Sequence, residues 1–177
     1  MSTSIGQRIV VIGSTGTGKT TLAKQLAAKL NVKHIELDAL HWEPNWQEAS
    51  TEVFIERVQQ ALAADCWVVD GQYNEVRHAI WTRADTIVWL DYSLWLIIWR
   101  LFRRTVRRAL TREELWNGNR ESFRTHFSRH SLFLWALKSY ERRRRDYLQF
   151  FQQPEHAHLR VFRLHSPKEA EDLLNGI

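Results

Sequence analysis

An apolar run, Ile9-Val10-Val11-Ile12, leads directly into Gly13-Ser14-Thr15-Gly16-Thr17-Gly18-Lys19-Thr20, and Leu22, Leu26, Ala27 and Leu30 follow at helical spacing. A buried strand, a turn matching G-x-x-x-x-G-K-[ST] and a helix, in that order, leave few folds open. Successive backbone N–H groups of such a turn point inward around a polyphosphate, and the start of the helix adds a favourable dipole. The string alone is expected by chance in roughly one chain of this length in a hundred. The flanking patterns lower that further. The candidate nucleotide contacts are therefore Gly13, Ser14, Thr15, Gly16, Thr17, Gly18, Lys19, Thr20 and Thr21. Lys19 is expected at the β- and γ-phosphates and the Thr20 hydroxyl at Mg²⁺, so ATP and Mg²⁺ are the expected cofactors.

Short apolar or β-branched segments at 8–12, 34–37, 67–70, 86–90 and 159–164 read as strands. Between them lie helical patterns near 19–30, 51–64, 75–83, 93–109 and 132–151. A last helix begins at Ser166-Pro167-Lys168-Glu169, where Ser caps, Pro suits the first turn and Glu completes a capping box. The alternation implies an α/β fold, a five-stranded and mainly parallel sheet covered by helices on both faces. The 177 residues contain no Pro/Gly/Ser-rich linker, so a single domain is expected over 1–177.

Residues 1–99 carry 8 Lys+Arg against 11 Asp+Glu, a charge of −3, whereas residues 100–177 carry 17 against 9, a charge of +8. Most of that positive charge is arginine, which suits a polyphosphate clamp or a nucleic-acid surface equally. The single cysteine, Cys66, gives no disulfide framework and reads as a core thiol. The start, Met1-Ser2-Thr3-Ser4, has no signal-peptide pattern, and the apolar stretch from Leu94 meets Arg100 too soon to span a bilayer. A cytoplasmic protein without membrane insertion is expected. Of the nine tryptophans, Trp67, Trp89, Trp95, Trp99 and Trp135 fall in strand or helix patterns and are expected to pack.

Cys66-Trp67-Val68-Val69-Asp70 is an apolar strand ending in a carboxylate, a Walker B pattern that would set Asp70 at the metal beside Thr20. A strand-end Asp that starts a turn before Gly71 is the alternative. Glu36 and Asp38 stand at i and i+2 and share a face if the strand continues through them. Asp38 is the better placed to orient an acceptor hydroxyl as general base or to help hold Mg²⁺. His41 lies near enough to share the site, with packing as its alternative, and Trp42 opens a loop that Glu43-Pro44-Asn45 breaks, so both are candidate substrate contacts. Arg100, Arg103, Arg104, Arg107 and Arg108 fall on one side of the fourth helix, and Leu94, Ile97, Ile98, Leu101 and Thr105 populate a different sector. Arg142–145 wraps around its helix, so its four side chains cannot all face one site.

These residues together resemble the nucleoside-monophosphate-kinase branch of P-loop proteins, and within it proteins labelled DNA topology modulation protein or adenylate-kinase-related ATPase. The resemblance runs over 8–174 and rests on the loop 13–20, Leu37-Asp38-Ala39-Leu40-His41-Trp42, Asp70-Gly71-Gln72-Tyr73, Leu90-Asp91 and Arg163-Leu164-His165-Ser166. It implies a three-layer P-loop NTPase fold with strand order 2-3-1-4-5 and a helical, Arg-rich lid inserted at 105–130. In adenylate kinases the strand ending in Asp-Gly continues as Phe-Pro-Arg, whose Arg grips the acceptor phosphate. Gln72-Tyr73-Asn74 stand here instead, with Tyr73 and Arg77 as the candidate contacts. The spacing from Asp91 to Arg100 and Arg104 is similar to that of the two adenylate-kinase arginines that contact the ATP base and phosphates, which implies those roles here. The Glu36/Asp38 pair is similar to the acidic strand end of shikimate- and gluconate-type kinases, which favours an acceptor hydroxyl. Arg120, Arg124 and Arg129 are the candidate lid cations.

The leading expectation is ATP- and Mg²⁺-dependent phosphoryl transfer to a small molecule, with Lys19, Asp38 and Arg104 as the catalytic residues and Thr20 and Asp70 at the metal. The alternative is a nucleotide-dependent, nucleic-acid-associated regulator with weak ATPase activity, whose arginine-rich half contacts phosphates, although no nucleic-acid-binding motif is visible.

Overall fold

The computed structural model describes residues 5–111, 115–119 and 132–177. Five parallel strands form the sheet: β1 (Arg8–Gly13), β2 (Lys33–Glu36), β5 (Trp67–Asp70), β6 (Thr86–Leu90) and β7 (Arg160–Leu164), in the order β2-β5-β1-β6-β7. Counted within the sheet this is 2-3-1-4-5. The remaining strands, β3 (Trp42–Glu43) and β4 (Gln47–Glu48), make a small antiparallel hairpin.

Alternation along β1 divides the core in two. Val10 and Ile12 point into the layer under α3 (Thr51–Ala61), α4 (Asn74–Trp81) and α6 (Leu132–Phe150). Ile9 and Val11 point into the layer under α1 (Lys19–Leu30), α5 (Leu94–Thr111) and α7 (Pro167–Asn175). A central strand buried on both faces needs an unbroken apolar run rather than an alternating one, which is what 9–12 supplies. Ser166 caps the last helix as expected, its Oγ accepting from the Glu169 N–H, while the Glu169 carboxylate reaches one residue past the cap, to the His165 N–H.

Parallel register sets Glu36 beside Asp70 and Gly13 beside Leu90, so the C-terminal strand ends line up as one edge. Ligands of open α/β sheets bind at such an edge, next to the point where strand order reverses.

Four expectations change. The second strand stops at Glu36, and Leu37–His41 form a short helix, α2, so Glu36 and Asp38 do not share a strand face. Leu37 turns inward against Gly71, at φ +122°, where an added Cβ would lie 2.6 Å from that of Leu37. Cys66 is half-exposed before β5, with its thiol on Gln7 Oε1, rather than in the core. Trp95 and Trp99 do not pack inward, because Ile97 and Leu101 occupy the inner sector of α5. Residues 105–111, assigned to the lid, continue α5. Arg112, Arg120, Arg124 and Arg129 lie outside the described residues.

Candidate active site

The turn between β1 and α1 is shaped by glycine. Gly13, Gly16 and Gly18 have φ of 150°, 89° and 96°, and a Cβ on Gly13 would lie 2.8 Å from the Leu90 carbonyl oxygen. At Gly16 the same addition would meet Leu101 of α5 at 2.7 Å, so α5 seals the outside of the loop. Thr17 is buried and closes the turn internally, its hydroxyl donating to the Ser14 carbonyl at 2.8 Å. Arg100 reaches in from α5 and donates to the Thr17 carbonyl at 2.6 Å. The loop is thereby held in its ring by both neighbours.

Lys19 lies at the centre of the charges. Its Nζ donates to the Ser14 carbonyl at 3.3 Å. Burial pulls the pKa of its amine down to about 8, Asp38 and Asp70 act in the opposite direction, and Arg143 and Arg104 reinforce the fall. Lys19, Asp38, Asp70, Arg104 and Arg143 therefore share one electrostatic site. Thr20 Oγ1 donates to Asp70 Oδ2 at 2.5 Å, while Asp70 Oδ1 meets His34 Nε2 at 2.7 Å. Two hard oxygen donors, one from the loop and one from a strand end, fit Mg²⁺, which takes one or two protein oxygens and completes its shell with phosphate and water. Thr20 and Asp70 are the residues that would hold it. His34, on β2, fixes the Asp70 carboxylate from behind and went unseen in the sequence, because a lone histidine in a strand carries no pattern.

Beside the loop opens a cleft of about 390 Å³, between the β5–α4 turn and α6. Arg77, Arg142 and Arg143 supply its positive charge and Asp146 its negative charge, over an aromatic wall that includes Trp81 and Tyr147. Gln72 joins cleft to loop: its Nε2 donates to the Gly13 carbonyl at 3.0 Å and its Oε1 accepts from Arg143 Nη1 at 2.6 Å. The turn that lacks an arginine of its own thus receives one from α6, seventy-one residues away. Arg77 lies over the Phe150 ring, 4.3 Å from its centroid. As the wrapping of Arg142–145 requires, Arg144 instead turns to Asp91, which also accepts two hydrogen bonds from Arg163.

Asp38 enters from α2 rather than from a strand end. Its Oδ1 accepts the Tyr73 hydroxyl at 2.6 Å, and burial, with the Asp38 charge next, pushes the Tyr73 pKa up. Tyr73 lines the cleft; His41 and Trp42 do not. His41 is ringed by Trp42, Phe54 and Tyr73, with centroids 5.0, 5.0 and 4.4 Å away, a packing role behind the site. Glu36 is neutralised in part by Lys24 at 3.7 Å, and burial followed by the neighbouring Asp70 charge raises its pKa.

Trp42 belongs to the hairpin, and a turn at 115–119 docks there. Asn117 donates to the Trp42 carbonyl at 2.5 Å. The Asn119 amide, 3% exposed, donates to the Glu43 and Trp116 carbonyls and accepts from the Trp46 N–H at 2.8 Å. That bond holds Trp46 at a φ of 57°, an unusual conformation for a bulky side chain. Arg57 of α3 ties the hairpin down from below, through the Leu40 carbonyl and Glu43.

A glycine ring closed by a half-buried lysine, with a Thr/Asp oxygen pair at the switch in strand order, is the geometry of a P-loop. Residues 9–91 match the family model described as ATPase family associated with various cellular activities (AAA). No curated protein matches the sequence. A gluconokinase from Sinorhizobium meliloti 1021 is similar in structure, with a TM-score of 0.55 and 18% identity over 96% of this chain and 88% of its own. The shikimate kinase of Bacteroides thetaiotaomicron has a TM-score of 0.54 and 17% identity over 96% and 94%. The fold is the three-layer α/β fold of P-loop kinases and ATPases, and the resemblance to nucleoside-monophosphate-kinase-like P-loop proteins is borne out at that level. Among the described residues no helix is long and apolar enough to cross a membrane.

Proposed function

We propose that the chain is an ATP- and Mg²⁺-dependent kinase that phosphorylates a hydroxyl of a small, anionic acceptor bound in the cleft beside the phosphate loop. The observation that carries this reading is the Gly13–Gln72–Arg143 bridge, which makes the phosphate loop and the arginine-lined cleft neighbours sharing one electrostatic centre at Lys19. A hydrolase that needs only water has no use for such a cleft. The two structural neighbours, named as a gluconokinase and a shikimate kinase, are consistent with a small-molecule acceptor.

In this reading the loop N–H groups and Lys19 bind the β- and γ-phosphates, and Arg104 and Arg143 add charge where it develops on the transferred group. Thr20 and Asp70 would hold Mg²⁺, which would supply charge neutralisation at the phosphates. Asp38, fixed by Tyr73, takes the proton of the acceptor hydroxyl; the freed oxygen bonds to the γ-phosphorus and the bond to the β–γ bridging oxygen breaks, leaving ADP. Arg77 and Arg142 hold the acceptor's own anionic group.

The test is ADP formation by the purified chain with Mg²⁺, alone and with hydroxy acids, sugar acids, sugars, nucleosides and nucleoside monophosphates. Stimulation by an anionic hydroxyl compound, with its phosphate ester recovered, is the expected result. A slow rate unmoved by every acceptor overturns the kinase and favours a nucleotide-dependent switch.

A further inference from the structure

Helix α5 has two apolar faces. Ile97 and Leu101 are buried toward the sheet and the phosphate loop. On the other side Trp95, Trp99, Phe102 and Val106, at offsets 0, 4, 7 and 11, are 83%, 53%, 60% and 38% exposed. The row is about 16 Å long at the α-helical rise of 1.5 Å per residue. Arg103 flanks it, its guanidinium 4.7 Å from the centroid of the Trp99 ring, and Arg107 follows one turn on. No acidic residue occurs anywhere between Leu94 and Thr111.

Large aromatics aligned in water mark a surface with a partner. Two features say which. The first is the division of residue types: the buried side of α5 uses Ile and Leu, whereas the outer row is mainly Trp and Phe. A dry seam between helices favours aliphatic side chains at such offsets, while indole rings, apolar with one polar N–H, favour the level of lipid headgroups. The second is charge. A second copy of α5 would set arginine flank against arginine flank with no carboxylate on either helix to compensate. A strand of bases would need open ring faces in a charged groove, but this row lies on a convex helix and Arg103 occupies the Trp99 face.

We infer that the outer face of α5 docks the folded protein on an anionic lipid surface, with Trp95, Trp99 and Phe102 at headgroup depth and Arg103 against the lipid phosphates. Such docking needs no spanning segment, because apolar area and electrostatic attraction add. It would place a membrane directly behind the phosphate loop, since Arg100 of the same helix holds the Thr17 carbonyl. The inference stands apart from the proposed catalytic activity.

The full chain is to be pelleted with vesicles of phosphatidylcholine, and of phosphatidylcholine mixed with phosphatidylglycerol, at low and high salt. The expected result is pelleting with the anionic vesicles, weakened by salt. It should fall about tenfold in the double variant Trp95→Ser/Phe102→Ser and by less in Arg103→Glu. Both altered aromatics are exposed, so an unchanged thermal midpoint certifies the fold. Absence of pelleting at low salt, equal pelleting on both vesicles, or pelleting undiminished in the double variant would overturn the inference. So would a dimer in sedimentation velocity, or retention of oligo-dT, that the same double substitution abolishes while vesicles leave the protein in solution.

Discussion

The glycine-rich loop is assembled from eight consecutive residues, whereas the cleft beside it draws on α2, the β5–α4 turn, α4 and α6, segments spread over more than a hundred residues. In the first, glycine dihedrals set the geometry; in the second, long side chains such as Arg143 and Gln72 do. The loop is accordingly preorganised by local structure, and the cleft only by correct packing of distant elements. Under the proposed function, a site divided this way can keep its nucleotide half constant while side-chain changes on α4 and α6 alter the acceptor.

The largest effect is expected at the shared centre. Lys19→Ala should lower turnover by about a hundred- to a thousandfold, the scale for removing one donor to developing charge. Thermal unfolding should show no loss of stability, because a buried amine is removed. Turnover near that of the parent protein, with fold intact, would break the link between the two regions. Arg77→Ala, which changes a cleft side chain away from the loop, should separate them: a rise of roughly ten- to a hundredfold in acceptor KM, as for a charged hydrogen bond, against a smaller change in ATP KM. An equal rise in both would mean that Arg77 serves the nucleotide.

The hairpin offers a finer discrimination. Asn119→Ala leaves the Glu43 carbonyl and the Trp46 N–H without their partner, and should cost about 1–3 kcal/mol in chemical denaturation. Its kinetic effect should appear in acceptor KM, and an effect confined to ATP KM would assign the hairpin to the nucleotide instead. The smallest expected change is in pH dependence. Burial holds the free Lys19 amine near a pKa of about 8, below its ordinary 10.5, and a bound phosphate favours the charged form. ATP affinity, measured with EDTA present, should therefore fall as pH rises through 8, and binding should take up a proton there. Calorimetry in two buffers of different ionisation enthalpy reads that proton directly, and Lys19→Arg should remove the pH step.

Features contiguous along the chain are legible in its sequence. The loop, the Walker B strand ending at Asp70, the five parallel strands and the Ser166 cap all depend on residues within a turn or a strand of one another, and periodicity reports such relations. Periodicity also implied that Arg142–145 cannot all face one site, and Arg143 and Arg144 do part, to Gln72 and Asp91. It erred at Leu37, where the need to fill the space beside Gly71 turned an expected strand into a helix, and at Trp95 and Trp99, where two apolar faces compete for one core. His34 on Asp70, Gln72 on Gly13 and Asn119 on the hairpin had no local signal at all.

What the chain's own sequence determined is the glycine-rich ring and the alternating strands and helices that display it, because a glycine at positive φ and a run of buried β-branched residues act over a few bonds. What only the tertiary structure decided is which charges meet at Lys19 and which arginines line the cleft. The charges that meet at Lys19 stand 19 to 124 positions from it along the chain, and their meeting depends on how helices pack on a sheet rather than on any spacing along the chain.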